Sequence, residues 1–239
     1  MLAWLGGLVA SMIGVSHRRL CRLISFAAGT LMGVTLFSII PETFAEVSLF
    51  PLLVALASGY ILFLLISRYV FHVCPACAAS HFDEATTHRF SEIASAMVIA
   101  LGLHSTMDGL ALALGKETHL AGGVDASLLL AICVHKVPEG LALCALLLAS
   151  GLRRSVALGW VAAVEATTIL GGVVGLWMVP HVSAIWLYLI LAHVGGGFIF
   201  LACHAVFGEL MKHGRTLVLV SFSAGLALIA VLNVILRSL

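Results

Sequence analysis

His104-Ser105-Thr106-Met107-Asp108-Gly109-Leu110-Ala111-Leu112 and His135-Lys136-Val137-Pro138-Glu139-Gly140-Leu141-Ala142-Leu143 are two versions of one phrase, 31 positions apart. Each places a carboxylate four residues after a histidine and closes on Gly-Leu-Ala-Leu. Each also lies inside a stretch of lipid-compatible residues. An ionised group at the centre of a bilayer costs about 2.5–3.5 kcal/mol on insertion scales, so an intramembrane His–carboxylate pair marks a functional site by default. Two matched pairs point to one site built in two halves.

Working outward, the chain is 62% hydrophobic and only 10% charged, with a mean hydropathy of +1.18. A soluble domain of this length needs far more polar surface, so these values specify an integral membrane protein. The net charge of +1 gives no reason to expect a nucleic-acid partner. Apolar stretches recur at about 2–16, 23–40, 50–71, 92–115, 125–149, 154–178, 183–207 and 217–236. Most approach the ~20 residues that span ~30 Å of hydrocarbon as helix. Alternation of polar and apolar residues, which a barrel requires, is absent. The expected fold is therefore all-α: a bundle of eight transmembrane helices forming one transport domain over residues 1–239. The first segment is short for a crossing and lacks the basic leader and cleavage site of a signal peptide.

Loop charges orient the bundle. With the N-terminus outside, the inward loops hold Arg18, Arg19, Arg22, Arg68, Arg89, Arg153, Arg154, Lys212 and Arg215, and the outward side holds only Lys116 and Arg237. Positive residues prefer the cytoplasmic side, so both termini are expected outside and the longest loop, about 72–90, in the cytoplasm.

On a helix, residues four apart share a face. His104 with Asp108 and His135 with Glu139 thus form two like-facing pairs on consecutive, antiparallel helices. A two-fold axis in the membrane plane relates such copies and brings them together near mid-membrane. Two carboxylates balance a divalent cation, and mixed N/O ligands suit Zn²⁺, Fe²⁺, Mn²⁺ or Co²⁺ better than Mg²⁺ or Cu⁺. The same groups also fit a structural polar cluster or a metal-free proton relay. Pro138 should kink the fifth helix by clashing with the carbonyl of Val134.

These two motifs, the eight segments and a histidine-containing third loop resemble the ZIP (Zrt/Irt-like) family of divalent metal transporters. The resemblance implies eight helices with inverted pseudo-symmetry, both termini outside, and metal movement into the cytoplasm. It implies the ligands His104, Asp108, His135 and Glu139. Many members carry asparagine after the first histidine and Asn, Asp or Glu after the second, where those groups hold an adjacent second metal. Here the positions are Ser105 and Lys136, and a charged lysine offers no lone pair to a metal. One transported ion is therefore expected rather than two, with Lys136 as a fixed cation. Met107 stands where proline is common, and Asp108 where glutamate is commoner.

Further candidates lie along the same path. Met32 and Ser38 face the pathway in this reading, and Ser38 to Glu42 ends the second segment. Glu165, the one acid of the sixth segment, is expected near the pathway or paired with Lys136. His204 is placed near an exit route. In the cytoplasmic loop, His72, Cys74, Cys77, His81 and His88 offer ligands for transient metal binding, although their spacing matches no defined zinc finger. The remaining cysteines read as small hydrophobes.

The expected cargo is Zn²⁺, with Fe²⁺, Mn²⁺, Co²⁺ and Cd²⁺ as the other candidates, and no fixed cofactor is expected. The expected partners are the metal ion and the bilayer, with a second copy of the chain as a candidate. A bacterial inner membrane is the expected location. Two other functions stay open at this point. An intramembrane zinc hydrolase would need an open metal position and a general base, and the chain lacks H-E-x-x-H. A proton-coupled carrier of another solute would use the same groups as a relay.

Overall fold

The computed structural model describes residues 2–13, 17–71, 87–118, 126–210 and 215–238. They form eight helices and, among the described residues, no strand. α1 is Leu2–Ile13. α2 runs His17–Val34, passes through a π turn at Thr35–Ile39, and resumes at Ile40–Glu46. α3 is Leu49–Leu65, continued by a π turn at Ile66–Phe71. α4 is Thr87–Thr118, α5 Ala126–Ala149, α6 Arg154–Met178, α7 Ala184–Leu210 and α8 Arg215–Ser238. Seven of the eight, α2 to α8, are long and apolar enough to cross a membrane. The 12 residues of α1 rise about 18 Å, roughly half the hydrocarbon core.

Small residues decide which helices meet. Lipid tails are as apolar as leucine, so association rests on close backbone packing. Gly6 sits on the Val137 carbonyl and Gly140 on the backbone of Ala3, joining α1 to α5. Gly109 meets the Thr168 carbonyl and Gly171 that of Thr106, joining α4 to α6. Gly29 with Phe222 and Gly225 with Phe26 join α2 to α8 in the same way, and Gly59 with His193 and Gly196 with Leu56 join α3 to α7. A methyl group at any of these eight glycines would overlap the facing backbone. These are also the four most extensive helix pairs of the bundle. Exchanging α1 with α6, α2 with α7, α3 with α8 and α4 with α5 maps the pairing onto itself. Each exchange relates helices that run in opposite directions, which is the expected inverted pseudo-symmetry.

Two groups of four helices result: α1, α4, α5 and α6, and α2, α3, α7 and α8. The main contacts between them run through α2 against α5 and α4 against α7. There a cavity of about 80 Å³ is lined by Ile24, Ala27, Ala28, Leu31, Met97, Leu101, Leu201 and Ala205 and ends on His104, His135 and Glu139. All these residues lie on the half of the bundle that carries the connection 72–86. Toward the opposite end, Val34, Ile39, Leu114, Leu128, Leu191 and Phe198 are fully buried.

The second segment differs from the expectation. It was expected to stop near residue 40, yet α2 continues to Glu46. Pro41 would clash with the carbonyl four residues back in a regular helix. The π turn ends just before it, so Pro41 falls in the first turn of the resumed helix, where a missing N–H costs nothing. Pro138, by contrast, lies inside a helix that continues past it.

Candidate metal centre

α4 and α5 bring the two copies of the motif together in the middle of the bundle. His104 is 2% exposed, Asp108 0%, His135 1% and Glu139 18%. One ligand atom from each of the four lies within 4.8 Å of every other. His104 Nε2 is 2.8 Å from Glu139 Oε1 and 3.6 Å from Asp108 Oδ1. His135 Nε2 is 3.3 Å from Asp108 Oδ2 and 3.7 Å from Glu139 Oε1. Ligands about 2.1 Å from a tetrahedral Zn²⁺ sit ~3.4 Å from one another. The observed separations bracket that value, and the donor set fits a borderline dication.

The surrounding bonds aim these atoms inward. His135 Nδ1 hydrogen-bonds the Ala131 carbonyl at 2.8 Å, one turn back. With the proton on Nδ1, Nε2 presents its lone pair to the centre. Both ring nitrogens of His104 and Oδ1 of Asp108 are buried without a directed hydrogen bond, despite the short approach to Glu139. Leaving such groups unmatched costs about 1–3 kcal/mol each, the signature of atoms reserved for a ligand.

A positive charge adjoins the cluster and shares Asp108 Oδ2 with His135. Lys136 Nζ is 2.5 Å from Asp108 Oδ2, 2.6 Å from Ser105 Oγ and 3.4 Å from Glu139 Oε2. An ammonium has three N–H donors, and these three acceptors match them. Two of the departures from the family pattern, Ser105 and Lys136, therefore meet each other. Glu139 is divided, with Oε1 toward the histidines and Oε2 toward the ammonium.

Glu165 has a role that its place in the sequence did not disclose. Its two carboxylate oxygens accept from the backbone N–H groups of Ala3 and Trp4, each at 3.3 Å. It thereby caps the start of α1, whose first N–H groups lack partners within the helix. Ser38 is buried, but it accepts from Asn233 Nδ2 at 2.8 Å and ties α2 to α8 rather than joining the cluster. Met32 packs against the main core. His204 stacks on Phe200 at 3.9 Å, with Nδ1 bonded to the Phe200 carbonyl, and is not part of the cluster. His72, Cys74, Cys77 and His81 fall outside the described residues, as does the side chain of His88. Phe198 was not singled out in the sequence. From α7 it presents a T-shaped contact to both imidazoles, with centroids 5.9 and 6.5 Å away.

The family model of the ZIP zinc transporters matches residues 75–233, more than half of the chain and all of the paired motifs. The chain belongs to the ZIP family. No curated protein matches it. ZIP proteins are divalent metal transporters rather than enzymes, and this ZIP protein is a multi-pass integral membrane protein. The match begins after α3, so the assignment rests on α4 to α8, where the two motifs lie.

Proposed function

We propose that this ZIP protein carries one divalent transition-metal ion at a time, zinc foremost, into the cytoplasm, and that His104, Asp108, His135 and Glu139 hold it. The observation that carries this reading is the convergence of four buried ligand atoms within 4.8 Å of one another. A complete four-ligand set favours transport over hydrolysis, since a hydrolytic zinc keeps a position open for water. Binding must replace the hydration shell yet stay weak enough for release.

Charge and shape together support the proposed direction. The excess of basic residues in alternate loops favours a cytoplasmic side for the 72–90 connection and the 80 Å³ cavity, with both termini outside. The geometry is then inward-facing, and the cavity has room for several waters to rehydrate a departing ion. All four ligands belong to the α1, α4, α5, α6 group, which acts with the other group as a single transport unit over residues 1–239. Entry of metal from the far side requires that group to shift against α2 and α7. The loop residues His72, Cys74, Cys77, His81 and His88 are proposed to meet the ion on the cytoplasmic side. A bacterial inner membrane suits this arrangement.

Purified protein in vesicles tests the reading. Radioactive zinc should accumulate inside, and competition by iron, manganese, cobalt and cadmium should rank the cargo. Uptake equal to that of empty vesicles under every imposed gradient would refute it.

A further inference from the structure

Lys136 competes for the oxygens a metal needs. Its ammonium touches Asp108 and Glu139, both within the four-residue cluster. A dication bound there would lie one carboxylate away from a like charge, and repulsion at that range is strong in a buried site. Beside this lysine an open cavity of about 470 Å³ lies between α1, α4, α5 and α6 on the flank of the bundle, where Trp4, Leu129 and Ile169 are exposed. Among the described residues lining it, Lys136 and Glu165 are the charged ones. Thr168, one turn after Glu165 on the same face of α6, also lines it, and its Oγ1 is buried with no hydrogen-bond partner. A second gap of about 10 Å³, too small for a water, is lined by Ser105, Glu139 and Glu165 together. Glu165 thus borders the ammonium's present acceptors and the cavity beside it.

We infer that Lys136 is a two-position counter-ion: metal loading drives its ammonium off Asp108 and Glu139 into the cavity beside it, where Glu165 and the Thr168 hydroxyl receive it. The inference rests on the metal reading above and adds the residues that set affinity. It gives the mid-membrane carboxylate Glu165 a task besides capping α1, and it gives the orphan hydroxyl of Thr168 a donor. The ammonium stays charged throughout, so no proton need leave it.

A double-variant cycle read by zinc affinity of the purified full-length protein tests this. Lys136→Met should tighten zinc binding about tenfold, a size usual for groups that hold or oppose metal ligands. Glu165→Gln should weaken binding about threefold in the native background and leave it unchanged on Lys136→Met, a coupling expected only between interacting sites. Thr168→Val should follow the same pattern with a smaller loss. Thermal unfolding of each protein separates this from the cap of α1, whose loss lowers stability equally in both backgrounds. An equal affinity loss from Glu165→Gln in both backgrounds, with zinc still bound, would overturn the lysine transfer alone. Weaker binding by Lys136→Met would do the same. Wild-type protein that binds no zinc would overturn both this and the metal reading.

Discussion

The two four-helix groups are built alike and equipped differently. Each consists of two helix pairs locked by reciprocal glycines, and the inverted repeat exchanges pairs within each group. The group α1, α4, α5, α6 holds His104, Asp108, His135, Lys136 and Glu139. In the other group the buried polar side chains are neutral hydroxyls on α2: Ser25, Thr30, Thr35, Ser38 and Thr43. The same packing thus serves two purposes. One group gathers the chemistry, while the other supplies an apolar wall with Phe198 against the imidazoles.

The strongest way to break this contrast is to remove a carboxylate. Asp108→Ala and Glu139→Ala should each bring vesicle zinc uptake to the level of empty vesicles. Ser38→Ala, in the neutral group, should keep more than about half, because a single interhelical hydrogen bond in a membrane averages ~0.6 kcal/mol. Equal damage from Ser38→Ala would end the division of labour. Next in size are the glycine locks. Gly140→Val and Gly225→Val force side chains onto Ala3 and Phe26 backbone, and each should cost about 3 kcal/mol, the upper range for overpacking. Unfolding in detergent measures this, and tolerance in only one group would show that the locks are not equivalent.

A smaller effect belongs to the wall. Phe198→Ala should lower zinc affinity roughly tenfold, the low end for residues that support metal ligands, without changing which metals compete. An altered competition order would place Phe198 in selection rather than support. The smallest is Asn233→Ala, which removes the bond to Ser38 and should cost about 0.6 kcal/mol of stability with uptake retained.

The helices and the cluster were legible for a physical reason. Lipid demands apolar runs of fixed length, and it makes every buried carboxylate conspicuous, so His104, Asp108, His135 and Glu139 stood out on spacing alone. Lys136 adjoined them in sequence and does so in space. Other features depend on contacts distant along the chain. Nothing near Glu165 reveals that Ala3 and Trp4 will stop beside it, 162 and 161 residues away. Ser38 reads as a pathway hydroxyl until Asn233, 195 residues later, is seen to bond it. The end of the second segment was misjudged because Pro41 usually stops a helix, and a π turn is invisible to hydropathy. Phe198 is one apolar residue among many until its ring is placed against two imidazoles.

The lysine between the carboxylates also sets how the carrier responds to voltage. With neutral imidazoles, Asp108, Glu139, Glu165 and Lys136 together carry two negative charges, and a bound dication brings that to zero. Each elementary charge crossing the full field is worth about 2.3 kcal/mol per 100 mV. An interior-negative potential then pushes the unloaded group back outward, while the loaded group, being neutral, crosses without opposition. Without the ammonium the loaded group keeps one negative charge, and the same potential opposes its inward leg. Zinc uptake at imposed potassium diffusion potentials should therefore rise with interior-negative voltage. A response unchanged by Lys136→Met would remove the lysine from the electrical account.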